Sequence, residues 1–221
     1  MITETVAYYP LFADLRGCRC VVIGGGLIAQ RKVTTLLRFG AAVTVVSPML
    51  TKRLAAYVRQ RRIRHLARRF RLENLRGAWL VYAATDDQRI NELVYRSATK
   101  RQILTNVVDQ KPLCSFIAPA IVKRGDLVIA ISTGGGSPAL AKKLRRDLDK
   151  LIGADYAEML RLLKGLRGAA KQQLPSYQDR KRYFDHVVTG RVFHLIRSGK
   201  RRAARREALA LLQQATRRNG S

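Results

Sequence analysis

The chain has 221 residues, 47% of them apolar, which is enough to bury the core of one ordinary domain with a smaller companion and excludes an intrinsically disordered chain. Its 43 Lys and Arg against 15 Asp and Glu give a net charge of +28, carried as +17 through Lys150 and +11 beyond it. A single basic tail is thereby excluded, and an anionic partner has to be considered. No apolar run approaches the roughly 18 residues of a membrane span. The opening stretch, Met1 to Asp14, contains two acids and lacks the charged head and apolar centre of a secretory signal. A soluble cytoplasmic protein without a membrane partner is the expectation. The three cysteines, Cys18, Cys20 and Cys114, are odd in number, and the first two sit too close on one extended segment for a disulfide or a metal knuckle. All three are expected to be reduced and structural, and no metal site is expected.

In chain order, Val21 to Ile23 is a short apolar run entering Gly24-Gly25-Gly26, and Leu27, Ile28, Val33, Leu36 and Leu37 then recur at helical spacing. Val43 to Val46 reads as a second buried strand, punctuated by Ser47-Pro48, with Leu54, Ala55 and Val58 marking a second helix. Ala78 to Ala84 is a third apolar run. Thr85-Asp86-Asp87 supplies capping chemistry for a helix through Lys100 whose buried face is Ile90, Leu93, Val94 and Ala98. Ile103 to Val108 is a further strand. This alternation predicts an α/β, Rossmann-like doubly wound parallel sheet over residues 1–112. Ser115 to Val122 and Leu127 to Ser132 then form two strand-like runs around Lys123-Arg124-Gly125-Asp126, a small β-hairpin outside that sheet. Next come Thr133-Gly134-Gly135-Gly136-Ser137-Pro138 and a helix on which Leu140, Leu144, Leu148 and Leu151 recur. The hairpin and this helix make a second region, 113–150. The rest, 151–221, is helical by pattern, with breaks expected at Gly165 to Gly168 and at Leu174-Pro175-Ser176 and fraying at Asn219-Gly220-Ser221.

The stretch Gly24-Gly25-Gly26-Leu27-Ile28-Ala29 fits G-x-G-x-x-A where a dinucleotide fingerprint requires it, between a buried strand and a helix. Gly24 allows the tight turn, Gly26 lets backbone approach a pyrophosphate at the positive helix end, and Ala29 lets helix pack on strand. The acid that would hold the adenosine ribose is missing, because the second strand ends in Val45-Val46-Ser47-Pro48-Met49. Ser47 is a candidate partner for a ribose hydroxyl, and Lys52 and Arg53 for a 2′-phosphate, so NADP stays open beside NAD. Arg31 and Lys32, one turn into the first helix, are candidates for phosphate or substrate binding or belong to a solvated face.

Asn106-Val107-Val108-Asp109 places a carboxylate at the carboxyl end of a central strand, the edge where open parallel sheets hold ligands. Asp109 is either a general base or a turn residue. The loop Thr133 to Pro138 offers backbone donors to an anion or serves as a hinge. His65, His186 and His194 read as surface or core histidines. The arginines at 59, 61, 62, 64, 68, 69 and 71, with Ile63, Leu66 and Phe70 between them, read as a basic-faced strand or helix. No nucleic-acid motif accompanies them, so nucleic acid is not expected as a partner.

Taken together, five separated pieces resemble the precorrin-2 dehydrogenase family, whose members include the amino-terminal module of siroheme synthase. They are Pro10-Leu11-Phe12, VVIGGGLIAQRK from Val21 to Lys32, AATDD from Ala83 to Asp87, NVVD from Asn106 to Asp109, and SFIAPAIVKRGDLVIAISTGGGSPALAKKLR from Ser115 to Arg145. The resemblance runs from about Tyr9 to Leu151 and thins through the helical tail. It implies NAD-dependent oxidation of precorrin-2 to sirohydrochlorin by a homodimer, with a dimerisation region and a small helical domain after the nucleotide domain. It implies Asp109 as the general base and Leu27, Ile28, Pro48 and Met49 as NAD contacts, which join Gly24, Gly25, Gly26, Ser47 and Thr85 as the candidate cofactor contacts. Asn106, Ser115, Thr133, Gly134, Gly135 and Ser137 are the implied substrate contacts. Some members also insert ferrous iron into sirohydrochlorin at the same site, and that activity stays open. Regulation by phosphorylation at the position of Thr133 stays open as well. The chain ends where a fused methyltransferase module would begin, so uroporphyrinogen methylation is not expected. A basic cleft would attract the polycarboxylate substrate, although the resemblance leaves the full +28 without an account.

Two other readings compete. One is a nucleotide-sensing regulatory module that uses the same glycine turn and a basic surface for nucleic acid. The other is an enzyme of this fold acting on a different tetrapyrrole.

Overall fold

A nearly continuous apolar run lets a strand bury both of its faces, and β1 (Arg19–Ile23) and β2 (Ala42–Val46) are buried at every position after the first, with Thr44 the polar residue among them. With β3 (Arg64–Leu66), β4 (Leu80–Ala83) and β5 (Leu104–Val107) they make one parallel sheet in the order β3-β2-β1-β4-β5. The chain leaves β1 toward β2 and returns to the other side for β4, so the strand order reverses between β1 and β4. Cys20 and Val22 face one side of β1 and pack with Ala29, Val33 and Leu36 of α1 (Leu27–Arg38) and Leu54 and Tyr57 of α2 (Lys52–Arg59). Val21 and Ile23 face the other and meet Val81, Val94 and Ala98, the last two from α3 (Gln88–Thr99). Each of these buried Val or Leu side chains contributes about 1.5–3 kcal/mol. Among the described residues each ion pair has an exposed or half-exposed partner and adds little, so the two apolar layers hold the sheet.

The computed structural model describes residues 8–219, and the chain divides into two units, one ending at Ala118 and the other starting at Pro119. The second unit opens with an antiparallel hairpin, β6 (Ala120–Arg124) and β7 (Leu127–Ile131), closed at Gly125 with φ +59°. α4 (Pro138–Leu151) packs on it, with Arg124 bridging to Asp149 at 3.0 Å. α5 (Ala154–Gln173), α6 (Tyr177–Thr189), α7 (Arg191–Arg197) and α8 (Arg201–Asn219) surround a core that includes Met159, Leu166, Leu174, Val187, Val192 and Leu212.

Several details differ from the sequence expectation, each for a physical reason. Residues 115–119 are not part of a strand, because Ser115 and Phe116 are tied back to β5 in the first unit. Helix α5 runs unbroken through Gly165 and Gly168, since its buried Met159, Leu166 and Ala170 outweigh two glycine penalties of about 1 kcal/mol. The break at 174–176 is present, with Ser176 capping α6. Leu93 is exposed, and Asn91 takes the buried place on α3. The leucine stripe of α4 is uncovered, Leu140, Leu144 and Leu151 being exposed. The basic run becomes the short edge strand β3 and its flanks, where charge discourages edge pairing. Gly220 and Ser221 lie outside the described residues, whereas Asn219 closes α8.

Candidate active site

The site is built at the carboxyl ends of β1, β2, β4 and β5, where the turns leaving the strands gather around the strand-order reversal. Gly24 leaves β1 at φ +120°, a backbone state suited to glycine, and a Cβ there would lie 2.2 Å from the Ala84 carbonyl oxygen. Gly25 is clamped differently. Its carbonyl accepts from the Thr51 N–H, and an added Cβ would fall 1.9 Å from the Met49 oxygen and 2.8 Å from Ser47 Oγ. Gly26 has ordinary φ (−79°), yet nothing lies within 4 Å of its Cβ position. Two of the three glycines therefore hold the turn to its neighbours, and the third leaves open space at the mouth of α1. Gly26 caps α1 without a side-chain acceptor, and no acid occupies the first turn, so free N–H groups and the positive helix end face that space. A pyrophosphate fits this cradle.

Leu27 and Ile28 are 65% and 42% exposed, so they do not join the buried stripe of α1; Ala29, Val33 and Leu36 form it. The two exposed residues sit in the first turn beside the open space. Ser47 is buried at the end of β2, its carbonyl held by His65 Nε2 at 2.9 Å, and Pro48 and Met49 are exposed after it. Of the two cations considered for a 2′-phosphate, Arg53 is turned onto the Tyr57 hydroxyl at 3.0 Å, and Lys52 is exposed. Thr85 donates to Asn91 Oδ1 at 2.8 Å, and its carbonyl accepts from Asn91 Nδ2 at 2.9 Å. That pair fixes the β4–α3 turn, with Asp87 capping α3. Buried Asn91, whose polar type at a helical core position was the available signal, had not been singled out.

Asp109 follows β5, exposed, with φ +59°. Its turn is held on both sides. Asn106, buried under it, donates to the Phe116 carbonyl at 3.0 Å and to Cys114 Sγ at 3.5 Å. Ser115 Oγ accepts from the Thr105 N–H at 2.8 Å. Cys114 Sγ donates to the Val107 and Gln110 carbonyls, and burial pushes its thiol up from the ordinary range, so it stays protonated. Asn106 and Ser115, expected to meet substrate, thus have polar atoms engaged in holding the Asp109 turn.

Tyr82, on the strand next to β5, pairs in register with Asn106. Tyr82 on β4 is buried against α1 and meets Phe116 edge to face at 5.4 Å between centroids. The half-buried Lys32 ammonium stands 4.9 Å from the centre of the Tyr82 ring. Burial holds this ammonium below the usual lysine range, against the attraction of the Asp109 carboxylate. Burial also pushes the Tyr82 phenol up. Arg31, next to Lys32, is exposed.

The remaining sequence candidates belong to the second unit. Thr133 Oγ1 donates to the Ser137 carbonyl and accepts from the Ser137 N–H, closing the loop around Gly134 and Gly135, at φ +60° and +84°. Ser137 Oγ caps α4 by accepting from Leu140 N–H. Among the described residues no group of three His, Cys, Asp or Glu side chains is placed to hold a metal ion, and no helix is long and apolar enough to cross a membrane.

A parallel sheet with a glycine cradle at its strand-order reversal defines a dinucleotide-binding protein of the Rossmann class. Three sequence families match in chain order: putative NAD(P)-binding over residues 11–120, sirohaem biosynthesis protein central over 124–151, and sirohaem synthase dimerisation region over 155–212. The siroheme synthase of Methylobacillus flagellatus is 45% identical over 196 residues, 89% of this chain and 42% of that protein. That of Photobacterium profundum is 36% identical over 206 residues, 93% and 44% respectively. The chain therefore spans about two fifths of the siroheme synthases it matches. Among solved structures, SirC, a precorrin-2 dehydrogenase, superposes with a TM-score of 0.75 at 26% identity, over 94% of this chain and all of that one. The chain belongs to the precorrin-2 dehydrogenase family, which includes the amino-terminal module of siroheme synthase.

Proposed function

We propose that this chain oxidises precorrin-2 to sirohydrochlorin with NAD, with Asp109 as the general base. The observation that carries the reading is the placement of an exposed carboxylate, on a turn held by Asn106 and Ser115, at the same sheet edge as the open cradle at Gly26. When bound, the nicotinamide supplies a hydride acceptor. The substrate loses one hydride to it and one proton to an Asp109 carboxylate oxygen, so two electrons and two hydrogens leave together. Gly26 and the first N–H groups of α1 are assigned to the pyrophosphate. Exposed Leu27, Ile28, Pro48 and Met49 are assigned to the apolar parts of the cofactor. Ser47 in place of an acid removes the usual repulsion of a 2′-phosphate, but Arg53 is engaged with Tyr57, which favours NAD over NADP.

The loop at Thr133, Gly134, Gly135 and Ser137 is assigned to the substrate, with 113–150 as dimerisation and substrate-loop region and 151–221 as helical domain. The uncovered leucines of α4 support a homodimer. Family membership favours the enzyme over the nucleotide-sensing module.

The test is an anaerobic assay with freshly made precorrin-2, following sirohydrochlorin by absorbance with NAD or NADP and then adding ferrous iron as a second substrate. Asp109→Asn is the variant of choice, because asparagine tolerates the positive φ and removes only the base. NAD-dependent turnover that falls at least 100-fold in this variant supports the reading. Absence of turnover in folded wild-type protein that binds NADH overturns it.

A further inference from the structure

Lys32 is a cation whose surroundings do not match a solvated or structural role. Among the described residues no ion pair within 4.0 Å includes it, although its ammonium is half-buried. Its near neighbour is the face of Tyr82, at 4.9 Å. A cation over an aromatic face regains only part of what its withdrawal from water costs. An ammonium held in that state retains a strong demand for an anion.

The direction of the side chain identifies which anion. Lys32 lies six residues after Gly26, about 9 Å along the α1 axis at 1.5 Å per residue. It reaches sideways onto Tyr82 of β4, which pairs with Asn106 of β5 three residues before Asp109. The cofactor's phosphates belong at the other place, the cradle at the mouth of α1. Tyr82 cannot turn aside, since it is buried and braced by Phe116, whose carbonyl is in turn held by Asn106. The ammonium is thus presented on a rigid aromatic platform over the strand pair whose second strand leads to the candidate base.

We propose that Lys32 is the anchor for one carboxylate side chain of the tetrapyrrole substrate, setting the macrocycle over Asp109. This rests on the substrate class assigned above and adds a specificity-determining residue to it. A carboxylate entering here replaces water on a partly desolvated ammonium, where charge-assisted hydrogen bonds are worth more than at the surface. Because the anchor lies over β4 at the register of Asn106 and the base follows on β5, holding the acid side chain restricts which ring carbon meets Asp109. A neutral tetrapyrrole ester lacks the group that Lys32 recognises and is discriminated against.

The experiment uses uroporphyrin, a stable polycarboxylate tetrapyrrole, as the probe in a fluorescence titration of the full chain, with NADH titrated separately. Wild type, Lys32→Met and Lys32→Arg are compared, together with uroporphyrin octamethyl ester on wild type. The expected result is a roughly 10- to 100-fold weaker uroporphyrin affinity in Lys32→Met, from the loss of one charged hydrogen bond. Lys32→Arg should stay within about threefold of wild type, NADH affinity should be unchanged in both variants, and the ester, which lacks every carboxylate, should bind no better than uroporphyrin binds the Met variant. Equal uroporphyrin affinity in wild type and Lys32→Met overturns the anchor while leaving the dehydrogenase reading intact. An equal loss of NADH and uroporphyrin affinity in Lys32→Met overturns it also, by assigning Lys32 to the cofactor. No binding of uroporphyrin or turnover of precorrin-2 by folded wild type would instead remove the substrate class, and the anchor with it.

Discussion

Adjacent glycines in the cradle are expected to fail in opposite ways when each is replaced by alanine. Gly26 has φ −79° and ψ −172°, which alanine adopts, and its Cβ would meet no atom within 4 Å. Alanine is the poorer N-cap by about 0.5–1 kcal/mol, while restricting the unfolded chain returns about 0.4–1 kcal/mol. The two nearly cancel, and the melting temperature of Gly26→Ala should stay within about 3 °C of wild type. Its methyl group, however, would stand where a phosphate must approach the backbone. Losing one charge-assisted hydrogen bond, about 1.5–3 kcal/mol, predicts a roughly 10- to 150-fold higher Kd for NADH. In Gly25→Ala the methyl would lie 1.9 Å from the Met49 carbonyl oxygen, and backbone on both sides must shift. Overpacking of this kind costs about 1–3 kcal/mol, so this variant should lose stability before binding is considered. Paired thermal unfolding and NADH fluorescence titrations of the three proteins decide the matter. NADH affinity within twofold of wild type in a stable Gly26→Ala would refute the cradle as the pyrophosphate site.

Two further outcomes follow from burial. Tyr183, buried and donating to the Ala208 carbonyl, has its phenol pushed up to about 12 by burial. The unfolded chain ionises this group near pH 10 and the folded chain does not, so its contribution is present below about pH 10 and is lost as pH rises toward 12. Denaturant titrations should show wild type losing about 2–3 kcal/mol more than Tyr183→Phe across that window, and parallel pH profiles would reject the assignment. The exposed Leu144 of α4 gives the second: Leu144→Glu should convert a dimer to monomer in size-exclusion chromatography with light scattering, and an unchanged mass would place the contact elsewhere.

Local sequence determined most of what makes the first unit. Runs such as Val21–Ile23 and Ala78–Ala84 are apolar on both faces and match only a buried parallel sheet, and the glycine turn between strand and helix states its own geometry. Asp109 was legible as a strand-end carboxylate, as were Leu174-Pro175-Ser176 as a helix break and Asp87 as a cap. Periodicity failed where an apolar residue faces something other than the chain's own core. Leu27 and Ile28 follow the helical pattern yet open onto the cradle, and the leucines of α4 follow it yet remain uncovered. A pattern records that a face is apolar and not what lies against it.

Tertiary structure alone decided the rest, because the partners are far apart in the chain. The division of labour among the three glycines depends on Ala84 and Met49, which approach from β4 and from the end of β2. Asn106 and Ser115 brace the turn of Asp109 through atoms on a segment that local pattern read as strand. Lys32 became distinct from its neighbour Arg31 only when β4 placed Tyr82 beneath one and solvent beside the other. Residue type announces a charge, but its desolvation and its unmet demand for a counterion arise from neighbours that only folding brings together.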